Sequence, residues 1–237
     1  MYNGGLAELV GIHLGDGCIS ITKRYSEYYL GGDLYEEREY HDQWVGPLFN
    51  KHVMRPILGK DVIYKERPKM GLYAFHIFNK KVTDFFMSLG VASGKKINAT
   101  IPSWILDEKE YLHRFLRGLF DTDGCLYFQK NYSCKVPKPT WPIIQLGLIS
   151  KELIYEVFDI LQWLGLHPQL KKPFIGKKGK HLAYVIKIYR NDDLAYFMKY
   201  IQFKNSKHIT KWAIFQKYGY YLPYTTIKER KKLLKSL

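Results

Sequence analysis

The chain has 237 residues, enough for one large domain or two of about 100 to 150 residues, and its 46% hydrophobic content excludes a disordered tail. Its 37 Lys and Arg residues against 22 Asp and Glu give a formal net charge of +15, which indicates a partner carrying phosphates. No apolar run approaches the roughly 18 residues of a membrane-spanning helix, and no signal peptide opens the chain. We therefore expect an intracellular protein of the cytoplasm, nucleoid or an organelle, neither secreted nor in a membrane.

Three cysteines, Cys18, Cys125 and Cys134, form neither a CxxC pair nor an even set. Neither a zinc site nor a disulfide framework is expected from this spacing. We expect all three thiols to be reduced and structural.

The first predicted element is a buried helix at residues 5–15, because its apolar residues recur at helical spacing. Gly11 and Gly15 lie four positions apart and allow another backbone to approach this face closely. Asp16 follows in the last turn. Gly17 is suited to the left-handed conformation that ends many helices.

Alternating strands follow this helix. The stretch CISITKRY, residues 18–25, predicts a strand with Ile19 and Ile21 on the core face. The order predicted for this half is a helix ending in Asp-Gly, alternating strands, a helix, two more strands and a closing helical stretch, and it contains ILG at residues 57–59, YAFHIF at 73–78 and FM at 86–87. The opposite face of the first strand should present three polar residues: Ser20, Thr22 and Arg24.

The same order of elements occurs twice. GIHLGDGCI at residues 11–19 is answered by GLFDTDGCL at 118–126, which puts Asp123 in register with Asp16. Downstream, the strand YAFHIF matches YVIKIY at 184–189, and Lys96 falls on Lys207. The second copy carries a longer turn, KKPFIGKKGKH at residues 171–181, and an insertion at a hairpin tip leaves a fold intact.

Pro102 interrupts the chain near the junction, before a new helix begins with EYLHRFLRGLF. We therefore predict an α+β fold of two pseudo-symmetric αββαββα halves, residues 1–104 and 105–237, packed through the two helices that carry the repeated motif. Gly118 and Thr122 give the second helix its own small pair, so each helix is the natural partner of the other.

This packing brings two acids together. Asp16 and Asp123 would repel each other at the pseudo-two-fold axis, so either their pKa values rise or a cation lies between them. Mg²⁺ prefers one or two carboxylates together with phosphate oxygens and water, and metal ions at a scissile phosphate stabilise the attacking and leaving oxygens. The repeated acid therefore indicates phosphodiester chemistry.

At these motifs the chain resembles a known family. LVGIHLGDG at residues 9–17 and LRGLFDTDG at 116–124 resemble the two signature motifs of monomeric LAGLIDADG homing endonucleases. The second motif is close to the family pattern, whereas the first departs from it at His13 and Leu14. The likeness extends over nearly the whole chain through the repeat, the motif spacing and the strand order.

The resemblance implies a site-specific endonuclease that makes a double-strand break in a long double-stranded DNA target, by phosphodiester hydrolysis dependent on Mg²⁺ or another divalent cation such as Mn²⁺. It implies a monomer that acts in intron homing. The final acid of each motif, Asp16 or Asp123, would bind the metal with the carbonyl of the preceding residue, Gly15 or Thr122. A basic residue near the end of each half would lie beside the scissile phosphate.

By the repeat register these basic residues are Lys96 and Lys207, with Lys95 as the alternative to Lys96. The resemblance also implies that each half lays antiparallel strands along the DNA major groove, which admits a two-stranded ribbon. The candidates for this DNA-binding surface are Ser20, Thr22, Arg24, His76, Tyr127, Gln129, Asn131 and Lys187.

Three other features have simpler interpretations. Asp121 has no counterpart in the first copy and is expected to be structural, bonded to a local backbone amide or a basic neighbour. His13 is expected to be a packed core residue, since no second His or Cys lies at metal-binding spacing. The closing segment KERKKLLKSL, residues 228–237, predicts a solvated amphipathic helix.

Alternatives of other classes remain open at this point. An RNA maturase, or a nucleic-acid-binding protein of the same fold without cleavage, would often have lost one of the acids, and both are present here. An intein is disfavoured because the sequence begins with Met1 and ends in Ser236 and Leu237, without the Cys or Ser start and terminal His-Asn of that class.

Overall fold

The structure, a computed structural model, describes residues 2–132, 138–176 and 180–236. Within these ranges the helical segment at residues 38–58 alternates α and π turns, and the one at residues 191–201 ends in a π turn. Short 3₁₀ turns occur at Pro68–Met70, Lys96–Asn98 and Ser103–Asp107. The helices are α1 (Gly4–Asp16), α2 (residues 38–58), α3 (Lys80–Ser88), α4 (Lys109–Thr122), α5 (Lys151–Trp163), α6 (residues 191–201), α7 (Ser206–Tyr218) and α8 (Ile227–Lys235).

Two antiparallel four-stranded sheets lie one in each half. The first sheet has the order β1-β2-β4-β3 and the second has the equivalent order β5-β6-β8-β7. The two α+β halves therefore confirm the predicted fold class. The strands are β1 (Gly17–Ile21), β2 (Ser26–Asp33), β3 (Lys65–Arg67), β4 (Leu72–Phe78), β5 (Gly124–Asn131), β6 (Lys138–Leu148), β7 (Gln169–Ile175) and β8 (Leu182–Ile188).

Helices α1 and α4 pack backbone to backbone at the centre of the molecule. A Cβ atom on Gly11 would overlap the carbonyl oxygen of Phe115, and one on Gly118 would overlap the carbonyl oxygen of Glu8. A Cβ atom on Gly15 would overlap the side chain of Thr122. The predicted pairing of the two motif helices through their small residues is therefore confirmed.

The glycines that follow the two helices do not have the predicted left-handed conformation. Gly17 has φ −80° and ψ 161°, an extended conformation, and already begins β1. A Cβ atom on Gly17 would collide with His13 in the preceding turn, and one on Gly124 would collide with Phe120. Glycine is required here because the chain turns sharply from helix to strand against its own last turn.

The first strand is also shorter than predicted. β1 ends at Ile21, and Thr22 and Arg24 lie in the hairpin turn that follows. The Thr22 hydroxyl accepts hydrogen bonds from the amides of Arg24 and Tyr25, so a local side-chain turn replaces the ladder. Ile21 is consequently exposed and does not belong to the core.

The second half is the longer one. Its strand β7 extends to Ile175, whereas β3 has three residues, and the extension lies where the longer turn was predicted. Part of that turn, residues 177–179, lies outside the described residues, as does Cys134. Two further helices, α7 and α8, follow the predicted αββαββα order of the second half, whereas Lys96, at the equivalent point of the first half, lies in a 3₁₀ turn.

One continuous core fills the space between the helices and the two sheets. It includes Leu9 and Ile12 of α1, Phe115 and Leu119 of α4, and Leu126 of β5. Cys18 and Cys125 are free thiols. In the described part of the chain, no helix is long and apolar enough to cross a membrane.

We predict that Gly11→Ala lowers the free energy of unfolding by about 2 kcal/mol or more, because the added methyl group must push α1 away from the Phe115 carbonyl. Gly147→Ala is the matched control, since its Cβ atom would make only an ordinary 3.6 Å contact with Val185. Chemical denaturation of both variants measures the difference. Equal stabilities would contradict the backbone contact between α1 and α4.

Candidate functional site

The ends of α1 and α4 bring the two repeated acids to one place. Asp16 is the last residue of α1, and Asp123 follows the last residue of α4. The close approach of Gly15 to Thr122 sets the two helix ends side by side. Each carboxylate lies at the negative end of a helix dipole, which does nothing to stabilise its charge.

One lysine from each half reaches the same helix ends. The Lys96 ammonium donates to the carbonyl oxygen of Gly15 at 2.6 Å, and the Lys207 ammonium donates to the carbonyl oxygen of Thr122 at 3.2 Å. The structure therefore brings together the two lysines found from the repeat register. Lys95 is exposed, and Lys96 is the lysine whose side chain reaches this place.

A third acid, Glu37, was missed by sequence reasoning. It lies in the turn between β2 and α2, is buried, and accepts a hydrogen bond from the Lys207 ammonium at 2.6 Å. Its carboxylate also accepts from the amide of Asp33 at 2.8 Å and from the side-chain amide of Asn205 at 3.0 Å. Glu37 belongs to the first half and Lys207 to the second, so this ion pair crosses the interface.

Asp121 holds the loop that leads to Lys207. Its carboxylate accepts from the amide of Lys204 at 2.9 Å and from the amide of Asn205 at 3.0 Å. Asn205 in turn caps α7 by accepting from the amide of Lys207 at 3.1 Å. The prediction that Asp121 is structural is confirmed, but the backbone amides that it binds lie 83 and 84 positions along the chain and are not local.

The charges at this site are unbalanced. Burial, together with the neighbouring Glu37 and Asp123 carboxylates, raises the pKa of Asp16 from 3.8 to about 7, although Lys207 and Lys96 oppose the rise. Asp123 is reached by solvent, yet the protein atoms around it also raise its pKa. Three carboxylates face two ammonium groups, so the site favours an additional cation.

The oxygen atoms at the helix ends fit a divalent cation such as Mg²⁺. Asp16 and Asp123 supply carboxylates, and the carbonyl oxygens of Gly15 and Thr122 already accept hydrogen bonds from two lysine ammonium groups. Mg²⁺ takes one or two carboxylates and completes its shell with phosphate oxygens and water. Among the described residues no group of three or more His, Cys, Asp or Glu side chains forms a metal site of its own, so the remaining ligands would come from substrate and water.

His13 is a core residue, as predicted. Its ring is 1% exposed and packs between Tyr28 and Phe86, with ring centroids 5.5 Å from each. Burial lowers the pKa of His13 to about 3. The ring is therefore neutral at physiological pH and takes no part in the balance of charge at the site.

Several predicted DNA-binding residues lie on the open faces of the sheets, the faces directed away from the core helices. Ser20 lies on the open face of the first sheet, and Tyr127, Gln129 and Lys187 lie on that of the second. The Lys187 ammonium donates to the Tyr127 hydroxyl at 2.8 Å and lies 5.4 Å from the centre of its ring. Asn131 is at the end of β5, where the described strand stops.

The remaining candidates are placed differently. Thr22 and Arg24 lie in the turn beyond β1, and Thr22 is engaged in local hydrogen bonds. His76 is on the open face, but its two ring nitrogens are 2.5 Å from a Glu27 oxygen and 2.9 Å from an Arg67 nitrogen. Both ring nitrogens of His76 are therefore engaged, and neither is free to bond to a DNA base. Arg67 and Glu27 are further polar residues on this face.

The second sheet presents further residues that were not among the candidates. Trp141 is 54% exposed and pairs with Gln129 across the ladder, while Gln145 pairs with Lys187. A cavity of about 260 Å³ on this face is lined by Trp141, Gln129 and Lys187 together with Gln169 and Lys171. The strand alternation of β6 could have identified Trp141 and Gln145, because both fall on the face opposite to Ile144 and Leu146.

The comparisons with known proteins agree with this architecture. Residues 110–202 match the family model of a LAGLIDADG-like domain. Variants of the homing endonuclease I-DmoI give a TM-score of 0.58 at 17% identity, covering 83% of this chain and 90% of theirs. The meganuclease I-SmaMI, bound to uncleavable DNA, gives 0.56 at 12% identity, covering 99% of this chain and 98% of its own. The chain has the LAGLIDADG homing endonuclease fold.

The LAGLIDADG fold confirms the resemblance seen in the two motifs. Curated relatives are similar over short parts of their length. A DNA polymerase of Thermococcus litoralis is 24% identical over 231 residues, 97% of this chain but 11% of the polymerase. The replicative DNA helicase DnaB of Rhodothermus marinus is 26% identical over 121 residues, 51% of this chain and 12% of the helicase. The chain thus spans about a tenth of the length of these relatives.

Structures of I-DmoI and its variants with DNA include divalent cations. Structures of that enzyme are described in complex with DNA and Ca, with target DNA in the presence of 2 mM Mn, and with target DNA in the presence of 2 mM Mg. These hard cations match the oxygen-rich donor set at the ends of α1 and α4.

We predict that Asp16→Asn stabilises the DNA-free, metal-free protein at neutral pH. The folded state keeps a proton on Asp16 up to about pH 7, while the unfolded chain releases it near 3.8, so this contribution to stability is full at low pH and is lost as the pH rises through about 7. The melting temperature of the variant should exceed that of the wild type by several degrees at pH 8, since about 1 kcal/mol corresponds to about 2–4 °C in a protein of this size.

Melting curves from pH 4 to pH 8 in a chelator measure this effect, and the gap between variant and wild type should close toward pH 4. Asp159→Asn on an exposed part of α5 controls for the loss of one negative charge. A variant that is no more stable than the wild type at pH 8 would show that Asp16 is not strained by its surroundings.

Proposed function

We propose that the chain is a site-specific DNA endonuclease that makes a double-strand break in a long target by hydrolysing one phosphodiester bond in each strand, with Mg²⁺ or another divalent cation such as Mn²⁺. One observation carries this proposal. Each half contributes one acid, one main-chain carbonyl and one lysine to the same place, Asp16 with Gly15 and Lys96, and Asp123 with Thr122 and Lys207. Two equivalent sets of residues would match the two antiparallel strands of a DNA duplex, one set for each strand.

The acids are proposed to hold the cation. Asp16 and Asp123, with the carbonyls of Gly15 and Thr122, supply oxygen ligands, and the raised pKa of Asp16 indicates a place where positive charge is needed. A divalent cation bound there would polarise the phosphate and favour attack by water. The carboxylates fix where that charge lies relative to both strands.

The lysines are proposed to act on the phosphates. Lys96 and Lys207 lie beside the acids but come from outside the two central helices, so they flank the pseudo-two-fold axis. An ammonium group there offsets charge that develops on a scissile phosphate or orients the attacking water. In the DNA-free protein both ammonium groups bond to the carbonyls, and binding of DNA and cation would release them toward the phosphates.

The open faces of the two sheets are proposed to bind double-stranded DNA in the major groove. Their polar and aromatic residues, Ser20, Arg67, Gln129, Trp141 and Lys187 among them, lie in one layer on each sheet. The net charge of +15 supports binding to the phosphate backbone. A single chain supplies both halves, divided near residue 104, so we propose a monomer that acts on DNA inside the cell.

A maturase or a non-cleaving DNA-binding protein of the same fold is the alternative. Such a protein needs the sheets and the charge but not the acids. Both acids are present, at a cost in stability that a binding protein would have no reason to retain. This observation favours the endonuclease.

We expect Asp16→Asn and Asp123→Asn to abolish cleavage or slow it by at least about a hundredfold while leaving DNA binding nearly intact, because each removes a charged metal ligand and keeps the side-chain shape. The substrate is a plasmid that carries the two sequences flanking the gene, joined without it. Cleavage is followed on gels with and without Mg²⁺, and binding by mobility shift.

The outcomes separate the candidate functions. Wild-type binding without cleavage in Mg²⁺ or Mn²⁺ would favour the non-cleaving protein. Normal cutting by either asparagine variant would mean that the two acids do not share a metal site.

We expect Lys96→Met and Lys207→Met to convert the enzyme into a nickase, because each lysine serves one strand and methionine keeps much of the side-chain volume. Each variant should slow one strand by about a hundredfold or more. Open-circular plasmid should accumulate, and strand-specific primer extension should map the nicks to opposite strands. Lys95→Met is the neighbouring control and should cut both strands normally; equal slowing of both strands by either site variant would refute separate roles.

A further inference from the structure

Helix α8 is amphipathic and largely solvated, as its sequence predicts, but one residue of its basic stretch is buried. Arg230, in the middle of the basic stretch, is 1% exposed and is among the largest fully buried side chains. A buried guanidinium needs partners for its donors, and the identity of those partners indicates what the helix does.

Arg230 connects three parts of the molecule. Its Nη1 donates to the carbonyl oxygen of Lys207 at 3.0 Å, and its Nη2 donates to the Glu36 carboxylate at 2.9 Å. Its Nε lies 3.3 Å from the carbonyl oxygen of Thr226, the residue that caps α8. The guanidinium therefore joins the second half to the turn before α2 in the first half.

Two further contacts fix α8 in this position. The Lys231 ammonium pairs with the Glu39 carboxylate of the first half. At the other end, the Lys217 ammonium of α7 donates to the carbonyl oxygens of Leu233 at 2.9 Å and Ser236 at 3.0 Å. A lysine at a helix C-terminus satisfies carbonyls that have no partner within the helix.

The two groups held by Arg230 flank the ion pair at the candidate site. Glu36 immediately precedes Glu37, and Glu37 accepts the Lys207 ammonium at 2.6 Å. Arg230 thus hydrogen-bonds to the main chain of Lys207, one partner of the ion pair, and to Glu36, the residue next to the other partner. The position of α8 is therefore coupled through Arg230 to both sides of this ion pair.

Lys96 has no comparable support among the residues that the structure describes. Its ammonium donates to the Gly15 carbonyl, and no carboxylate of the described chain lies within ion-pair distance of it. It is in a single 3₁₀ turn that follows Gly94, whose φ is 85°. The two lysines of the candidate site are therefore held by different means.

We propose that Arg230 is a positioning residue that orders Lys207 through Glu36 and Glu37 and so supports cleavage of one DNA strand, the strand served by Lys207. This inference rests on the proposed endonuclease function. Arg230 itself bonds to main chain and to Glu36, and it acts on the reaction through Lys207. A small misplacement of a reacting group can cost about a hundredfold in rate.

The test compares Arg230→Met with Arg114→Met. Arg114 also forms an ion pair across the halves, to Glu8 at 3.1 Å, but it bonds to neither lysine. We expect Arg230→Met to slow cutting of the Lys207 strand about 10- to 100-fold and the other strand less than about twofold, so that nicked circles accumulate. The strand is identified as the one that stays intact in Lys207→Met. Arg114→Met should affect both strands alike.

Glu36→Gln provides a milder variant, because the Glu36 side chain is 38% exposed and the change keeps an oxygen acceptor. It should show the same strand bias at about two- to fivefold. If Arg230→Met does not fold, this variant alone decides the question. Equal effects on both strands, or none, in the variants that fold would overturn the proposal.

Hydrogen exchange on the DNA-free protein gives a readout that does not depend on cleavage. Amides at residues 36–39 and 207–211 should exchange faster in Arg230→Met and Glu36→Gln, while those at 94–99 should be unchanged. A wild-type protein that cuts no DNA would refute the proposed function, and the exchange data would still decide whether Arg230 orders Lys207. Unchanged exchange at 207–211 would overturn the inference.

Discussion

The contact between the backbones of α1 and α4 is the constraint on which the rest of the molecule depends. Gly11 and Gly118 remove the side chains that would separate the helices, and each glycine faces a main-chain carbonyl of the other helix. This contact joins the two halves into one core, and it also sets the two helix ends side by side. The position of Asp16 and Asp123 is therefore a consequence of how the halves pack, and no separate loop has to be ordered to bring them together.

The same contact creates an electrostatic cost. Burial at the ends of the two helices raises the pKa values of Asp16 and Asp123, the neighbouring Glu37 carboxylate raises both further, and two lysines only partly compensate. A protein selected only for stability would replace one of the acids. Neighbouring like charges whose pKa values are shifted by their surroundings are typical of functional sites, and here they explain why the structure fits an added divalent cation.

The sequence predicts the placement of residues best where a feature repeats. The register between the halves singles out Asp16, Asp123, Lys96 and Lys207, and the structure places all four at the ends of the two central helices. The order of strands in the two sheets repeats in the same way. Glu37 has no counterpart in the second half, so no register could reveal it, and its partner Lys207 is 170 positions away. The extended conformation of Gly17 depends on the close contact with His13, and the turn at Thr22 depends on a local hydrogen bond to its hydroxyl. The alternation of apolar and polar residues in the sequence reveals neither contact.

Features that do not repeat have a common character: they hold the structure together. Glu8 is fully buried in α1 and binds Arg114 of α4 at 3.1 Å, whereas the second copy has Phe115 at the equivalent position. Asp121 bonds to the loop before Lys207 and has no counterpart in the first half. Gly118 and Thr122 of the same helix do have counterparts there, and they form the contact between the two central helices. Because both halves belong to one chain, one copy of each structural contact is enough, and the two sets of site residues are free to be held differently. The unequal support of Lys96 and Lys207 is one result of this freedom, because Lys207 is paired with Glu37 of the other half and Lys96 bonds to the Gly15 carbonyl.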